Sequence, residues 1–457
     1  MVFSSLTFLV LFLPVFLISY HLIPWKSIKA KNSVLLVFSL FFYASGEPVW
    51  VVVLVFSGLW DYVIGLFITR RRGQWQSKAL LLLSMCGNLG LLVLLKYGAF
   101  FLSLAGFSVV FAPTLPIGIS FYTFQTMSYT IDLYKGKVEP QKDPVAFLSY
   151  VAMFPQLVAG PIIRYADVES KLKSRSITVR SFSAGVTRFA EGLGKKVILA
   201  NHAGKIAAEL LSVDPVNAST AGVWLGTLMF MFQIYFDFSG YSDMAIGLGK
   251  MIGFDFRENF EHPYTSKSIT DFWRRWHISL GTFFRDYVYI PMGGNRRRAV
   301  LNILFVWFLT GLWHGASVNF ILWGMYFGVI LLIEKYVLRD LLVKVPAVVA
   351  HLYSLIIILF GWLIFYATDL GDLAGFAARF WGAAKYLTDS RTTGLFLANL
   401  WMLPILALFS TRIPSVLAGK LKTIAPFSEY VINFALLCTS FALLIGQSFN
   451  PFIYFRF

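Results

Sequence analysis

Charge is scarce in this chain. Only 14% of its 457 residues are Asp, Glu, Lys or Arg, against about a quarter in soluble domains. None occurs between 299 and 333. A chain so poor in charge cannot solvate its surface as a soluble globule does. It is instead 58% hydrophobic, with a mean hydropathy of +0.70, and apolar runs long enough to cross a bilayer recur from end to end. Lipid offers no partner to a backbone amide, so spanning segments must be helices or closed barrels. The expected fold is all-α: a polytopic membrane protein of roughly ten or eleven transmembrane helices, with re-entrant and interfacial pieces.

Cysteine is nearly absent. Cys86 and Cys438 each sit inside an apolar run, where a lone thiol is ordinarily a small buried hydrophobe, and no disulfide is expected. Zinc-ligand spacings, a Walker loop, a nucleophile elbow and a dinucleotide fingerprint are missing too. No metal and no permanently bound cofactor is therefore expected, and Gly293-Gly294 reads as a turn. The net charge of +16 would suit nucleic acid, but in a multi-span chain it reads as Lys- and Arg-rich cytoplasmic loops. No nucleic-acid partner is expected, and membrane lipids are.

The chain reads as one membrane body over 1–457. Apolar runs at 2–23, 33–44, 49–68, 79–95 and 117–133 read as the first five spans. The first has neither a basic n-region nor a small-residue cleavage pattern, so it reads as a retained span. The stretch 96–116 is apolar but broken by glycine and proline. Basic loops at 26–31, 70–78 and 135–142 alternate with nearly uncharged ones, which places the amino terminus outside the cytoplasm. The run 144–161, interrupted by Pro155 and Gly160-Pro161, reads as re-entrant. Eight Lys and Arg between 164 and 196 mark a cytoplasmic segment, either surface helices or a solvated loop. Glycines at 240, 247, 249 and 253 follow the run 221–238 and allow close helix contact or a break. The uncharged stretch 299–333 is too long for one span and fits a hairpin turning at 311–319. Later spans are expected at 352–366, 395–408 and 431–449, with an interfacial piece at 376–386.

Polar residues crowd into 237–319, where a charge at membrane depth costs about 2.5–3.5 kcal/mol. Among six histidines, His21, His202, His262 and His351 have ordinary packing or turn contexts. His314 stands between Gly311 and Gly315, about 22 Å along a helix rising from Arg298. It is either a packing residue or, with an imidazole able to take and give a proton near neutrality, a general base. If 270–286 is helical, His277, Leu280, Gly281 and Phe284 share a face. Trp273, Arg274, Arg275 and Trp276 fit either an aromatic and basic interface belt or an anion pocket.

Four stretches then carry a resemblance. Asp237-Phe238-Ser239-Gly240-Tyr241-Ser242-Asp243, Phe272-Trp273-Arg274-Arg275-Trp276-His277, Arg285-Asp286-Tyr287-Val288-Tyr289-Ile290-Pro291 and Gly311-Leu312-Trp313-His314-Gly315 resemble the motif set of the membrane-bound O-acyltransferase (MBOAT) family. The closer likeness is to its bacterial branch serving alginate O-acetylation. The resemblance implies a multi-helix body around a central tunnel and a motif core at about 230–340. It places His314 at the catalytic histidine and His277 at the second motif position. Substrate contacts are expected from Trp273, Arg274, Arg275, Trp276, Arg285, Trp313, Asp237, Ser239, Tyr241, Asp243 and Asn319. The implied donor is acetyl-CoA or another acyl thioester, and the implied partner is a periplasmic SGNH-like acetyltransferase that modifies an exported polysaccharide. A transporter with polar residues along a permeation path is the rival reading, but the inverted symmetry common in transporters is not evident. A scaffold anchoring periplasmic enzymes is a second rival.

Overall fold

The computed structural model describes residues 1–446 apart from residues 25, 105, 107–115 and 159. Parts of the stretch 96–116 and the end of the last expected span therefore lie outside the described residues. Every regular element among the described residues is helical. Among the described residues six helices are long and apolar enough to cross a membrane, seven if the bent pair Ser390–Ala398 and Met402–Phe409 counts as one span. The higher number read from the sequence includes elements of other kinds. Thr7–Leu22 and Ala299–His314 are apolar but short, and Ile119–Tyr134 is rich in buried Ser, Thr and Gln.

Where the sequence reads as one body, the contacts group the chain into two compact units. One comprises Met1–Gly192 and Tyr241–Arg257, the other Leu193–Gly240 and Glu258–Phe457. The helix Thr220–Ile252 continues through the glycines at 240, 247 and 249 and stops at Gly253, whose φ of +88° suits glycine. Its residues through Gly240 belong to the second unit, and those from Tyr241 to the first.

In the first unit, Ile119–Tyr134 is the central element, with every residue from Ile119 to Leu133 buried. Val51–Arg70, Trp75–Leu92 and Pro144–Ala152 pack on it. The last begins cleanly because Asp143 accepts hydrogen bonds from Val145 and Ala146 N–H while Pro144 fills the first helical position. Gly247 brings its helix against the backbone of Gly185, whose carbonyl oxygen would stand 2.6 Å from an added Cβ. The basic segment after 164 forms two helices, Tyr165–Lys173 and Val179–Gly194. One of its cations is not on a surface at all. Arg175 is buried and donates to Tyr20 Oη and Asn32 Oδ1, each at 2.7 Å.

The second unit holds the remaining helices around an aromatic core of Trp276, Trp323, Phe327 and Trp362. The uncharged stretch is the expected hairpin, Ala299–His314 followed by Val318–Ile333. Its closeness depends on glycine: a Cβ on Gly311 would lie 2.2 Å from Phe320 O, and one on Gly324 2.2 Å from Trp307 O. Cys86 and Cys438 are free but exposed, contrary to the expected burial. Apolarity shows that a helix face avoids water, not whether protein or lipid covers it.

Candidate active site

His314 is the last residue of Ala299–His314, and the chain turns to extended backbone at Gly315. The imidazole is buried inside a box of ring edges. Trp323 lies 4.9 Å away at 82°, Phe365 5.3 Å away at 83°, and Trp313 4.9 Å away at 80°. Rings so placed fix its plane by packing. Gly315 is required beside it, because a Cβ there would sit 2.3 Å from the Phe320 ring.

His277 is positioned differently. The expected helix over 270–286 breaks into Ile269–Arg275 and Ile278–Phe284, with His277 between them in left-handed backbone at φ +46°. Such a conformation costs a non-glycine residue on the order of 1 kcal/mol and must be held by its surroundings. Asn259 holds it: Asn259 O accepts from Ile278 N–H, and Asn259 Oδ1 accepts from Ser279 N–H and Oγ. The atom that receives the Ser279 amide must be oxygen, so His277 Nδ1, 3.2 Å from it, is the donor. The neutral ring then carries its lone pair on Nε2. Burial pushes His277 down to about 3, so the ring is neutral at physiological pH. Ser268 and Glu334 fix the preceding helix: Ser268 Oγ accepts from Asp271 N–H, and the Glu334 carboxylate accepts from Ile269 and Thr270 N–H at 2.6 and 2.8 Å.

Both imidazoles line one cavity of about 210 Å³ within the second unit. Its walls also include Trp273, Trp276, Trp307, Thr310 and Tyr289, with Arg285 contributing the positive charge. His277, Leu280, Gly281 and Phe284 all reach it, so the face read from the sequence survives the helix break. Arg285 is largely exposed and bonded to Asp286 at 2.7 Å. The cavity therefore joins a basic residue in contact with solvent to two buried imidazoles through an aromatic lining.

Not every expected contact gathers there. Arg274 is exposed and Arg275 pairs with Asp271 at 2.9 Å, and neither lines the cavity. Trp313 packs edge-on to both histidines without lining it. Asp237 forms a buried ion pair with Lys196 at 2.7 Å. Ser239 is buried with no hydrogen-bond partner for its hydroxyl among the described residues. Asn319 donates to Ala367 O at 2.7 Å and tethers the hairpin turn. Tyr241 and Asp243 belong to the first unit, where Tyr241 stacks on Phe3 at 4.4 Å and Asp243 pairs with Arg188 at 2.7 Å.

Asn259, Lys196 and Glu334 were not singled out from the sequence. The local signal that could have found the start of this segment is the Ser268-to-Asp271 spacing, a helix-start pattern.

The model of the membrane-bound O-acyltransferase family (MBOAT) matches residues 140–364, which include the whole cavity. Over 100% of both chains, the sequence is 38% identical to a "Probable alginate O-acetylase AlgI" of Pseudomonas putida. It is 40% identical to the protein of that name from Pseudomonas syringae, over 89% of this chain and 80% of the relative. It is 32% identical to a "Peptidoglycan O-acetyltransferase" of Helicobacter pylori, over 81% of this chain and 78% of the relative.

Proposed function

The chain belongs to the membrane-bound O-acyltransferase family and is a multi-pass membrane O-acyltransferase; from that premise we propose that it moves an acetyl group across a bacterial inner membrane for O-acetylation of an exported polysaccharide. The donor is a cytoplasmic acyl thioester such as acetyl-CoA, received near Arg285. His314 is the base that removes the proton from the acceptor hydroxyl, and His277 orients the donor carbonyl or the attacking group. The acceptor is an alginate-like polymer, or a Ser of a periplasmic SGNH-like partner that passes the acetyl group onward. Alternating basic loops support a periplasmic amino terminus. Counting the short apolar helices Thr7–Leu22 and Ala299–His314 as crossings brings the number of spans nearer to ten, around a tunnel of which the cavity is one part.

One observation carries this reading: two buried, differently held imidazoles face the same aromatic cavity, which also receives a solvent-exposed arginine. A general base contributes about 10²–10⁴-fold, and an aromatic lining keeps competing water from a thioester. Transfer of labelled acetyl from acetyl-CoA should fall by about 10³-fold in His314→Ala while the protein still inserts. Full transfer by that variant would remove the assignment.

A further inference from the structure

Asp61 lies midway along Val51–Arg70 and is fully buried in the first unit. Among the described residues no Lys, Arg or His pairs with it. Its carboxyl meets Ser84, Asn88 and Thr126 instead. The packed helices' charged side chains, Lys29, Lys31, Arg70, Lys78 and Asp132, stand near helix ends, and the other titratable groups on them are the Cys86 thiol and the phenols of Tyr43, Tyr62, Tyr122, Tyr129, Tyr134 and Tyr150. A bare carboxylate at this depth, with no cation beside it, would be costly.

The hydrogen bonds can be counted. Ser84 Oγ is 2.6 Å from Asp61 Oδ1 and 3.0 Å from Thr130 Oγ1, and Thr130 Oγ1 is 3.2 Å from Met127 O. Met127 O can only accept, so these three contacts in series need three hydrogens. The two hydroxyls bring one each. The direction of the other side is fixed by a carbonyl: Ser84 O can only accept, so the Asn88 atom 2.9 Å from it is Nδ2, which also donates to Asp61 Oδ2 at 2.6 Å. Oδ2 is thus the accepting oxygen, and the third hydrogen belongs on Oδ1.

We propose that the first unit holds an intramembrane proton-binding site in which Asp61 keeps its proton at neutral pH and donates it to Ser84. The bound proton completes a chain from Asp61 through Ser84 and Thr130 to Met127 O. Three helices, Val51–Arg70, Trp75–Leu92 and Ile119–Tyr134, are joined by that chain. Asn at position 61 would reproduce both roles, donating to Ser84 and accepting from Asn88.

The test is the infrared difference spectrum of wild type minus Asp61→Asn in lipid vesicles at neutral pH, with thermal unfolding of both. The expected result is a protonated-acid carbonyl band present only in wild type, and an unchanged unfolding temperature in Asp61→Asn. A carboxylate band in its place would overturn the proposal. So would wild-type stability that rises with sodium while that of Asp61→Asn does not, since the site would then hold a metal cation. If Asp61→Asn does not fold, Ser84→Ala decides: the acid band must shift when its acceptor is lost, and an unmoved or absent band overturns the assignment.

Discussion

Arg175 in the first unit and His314 in the second are almost equally buried, at 6% and 7% exposure, yet their surroundings differ. Arg175 is closed off by Tyr20 Oη, Asn32 Oδ1 and the Phe254 ring. Its Nε and Nη1 hydrogens are spent on those helix partners. His314 is fixed by ring edges and turned toward a cavity it shares with His277. Burial of a polar group therefore does not separate structure from chemistry in this protein. What separates them is whether the group faces protein partners or open volume.

The contrast can be tested by removing one partner on each side. The largest expected effect is that of His314→Ala on acetyl transfer, about 10³-fold, without loss of folded protein. The opposite pattern is expected of Lys196→Met, which leaves Asp237 buried without its ion-pair partner. Breaking a buried pair costs about 3–5 kcal/mol, visible as a lower unfolding temperature, and an unchanged one would mean that the pair is solvated. Smaller again is the effect at the cavity mouth. Arg285→Glu should raise the apparent KM for acetyl-CoA about tenfold, or about 1.4 kcal/mol, whereas Arg274→Glu, outside the cavity, should leave it within about twofold. Equal effects from the two would erase the distinction between lining and rim.

The last effect is a pH slope. His277 is held near 3 by burial and would titrate near 6.5 once unfolded. Between those values the unfolded chain binds the proton and the folded one does not, so stability falls as pH drops below about 6.5. The contribution is at most about 1.4 kcal/mol per pH unit. His277→Gln keeps a donor but cannot titrate, so its unfolding temperature should decline less steeply with acid than that of wild type. Parallel declines would contradict the neutral, buried ring.

Local pattern revealed the hairpin, the histidine at its turn and the face shared by His277, Leu280, Gly281 and Phe284, because each depends on spacing along a few helical turns. The partners that hold this site are remote. Asn259 is 18 residues from His277 and Glu334 is 65 from Ile269. No periodicity links such pairs. Arg274 and Arg275 miss the cavity for a local reason instead. Trp273 and Trp276, three residues apart, face the cavity, and Arg274 and Arg275 between them point off that face.

Gly281 offers the most direct test of the cavity as the place of transfer. It lines the cavity, and a Cβ added there meets nothing nearer than Trp273 O at 4.0 Å, so a large side chain enters open volume without displacing its neighbours. With Gly281→Phe reconstituted in vesicles, acetyl transfer from acetyl-CoA should be lost while the unfolding temperature stays at the wild-type value. Undiminished transfer through the filled cavity would contradict the account.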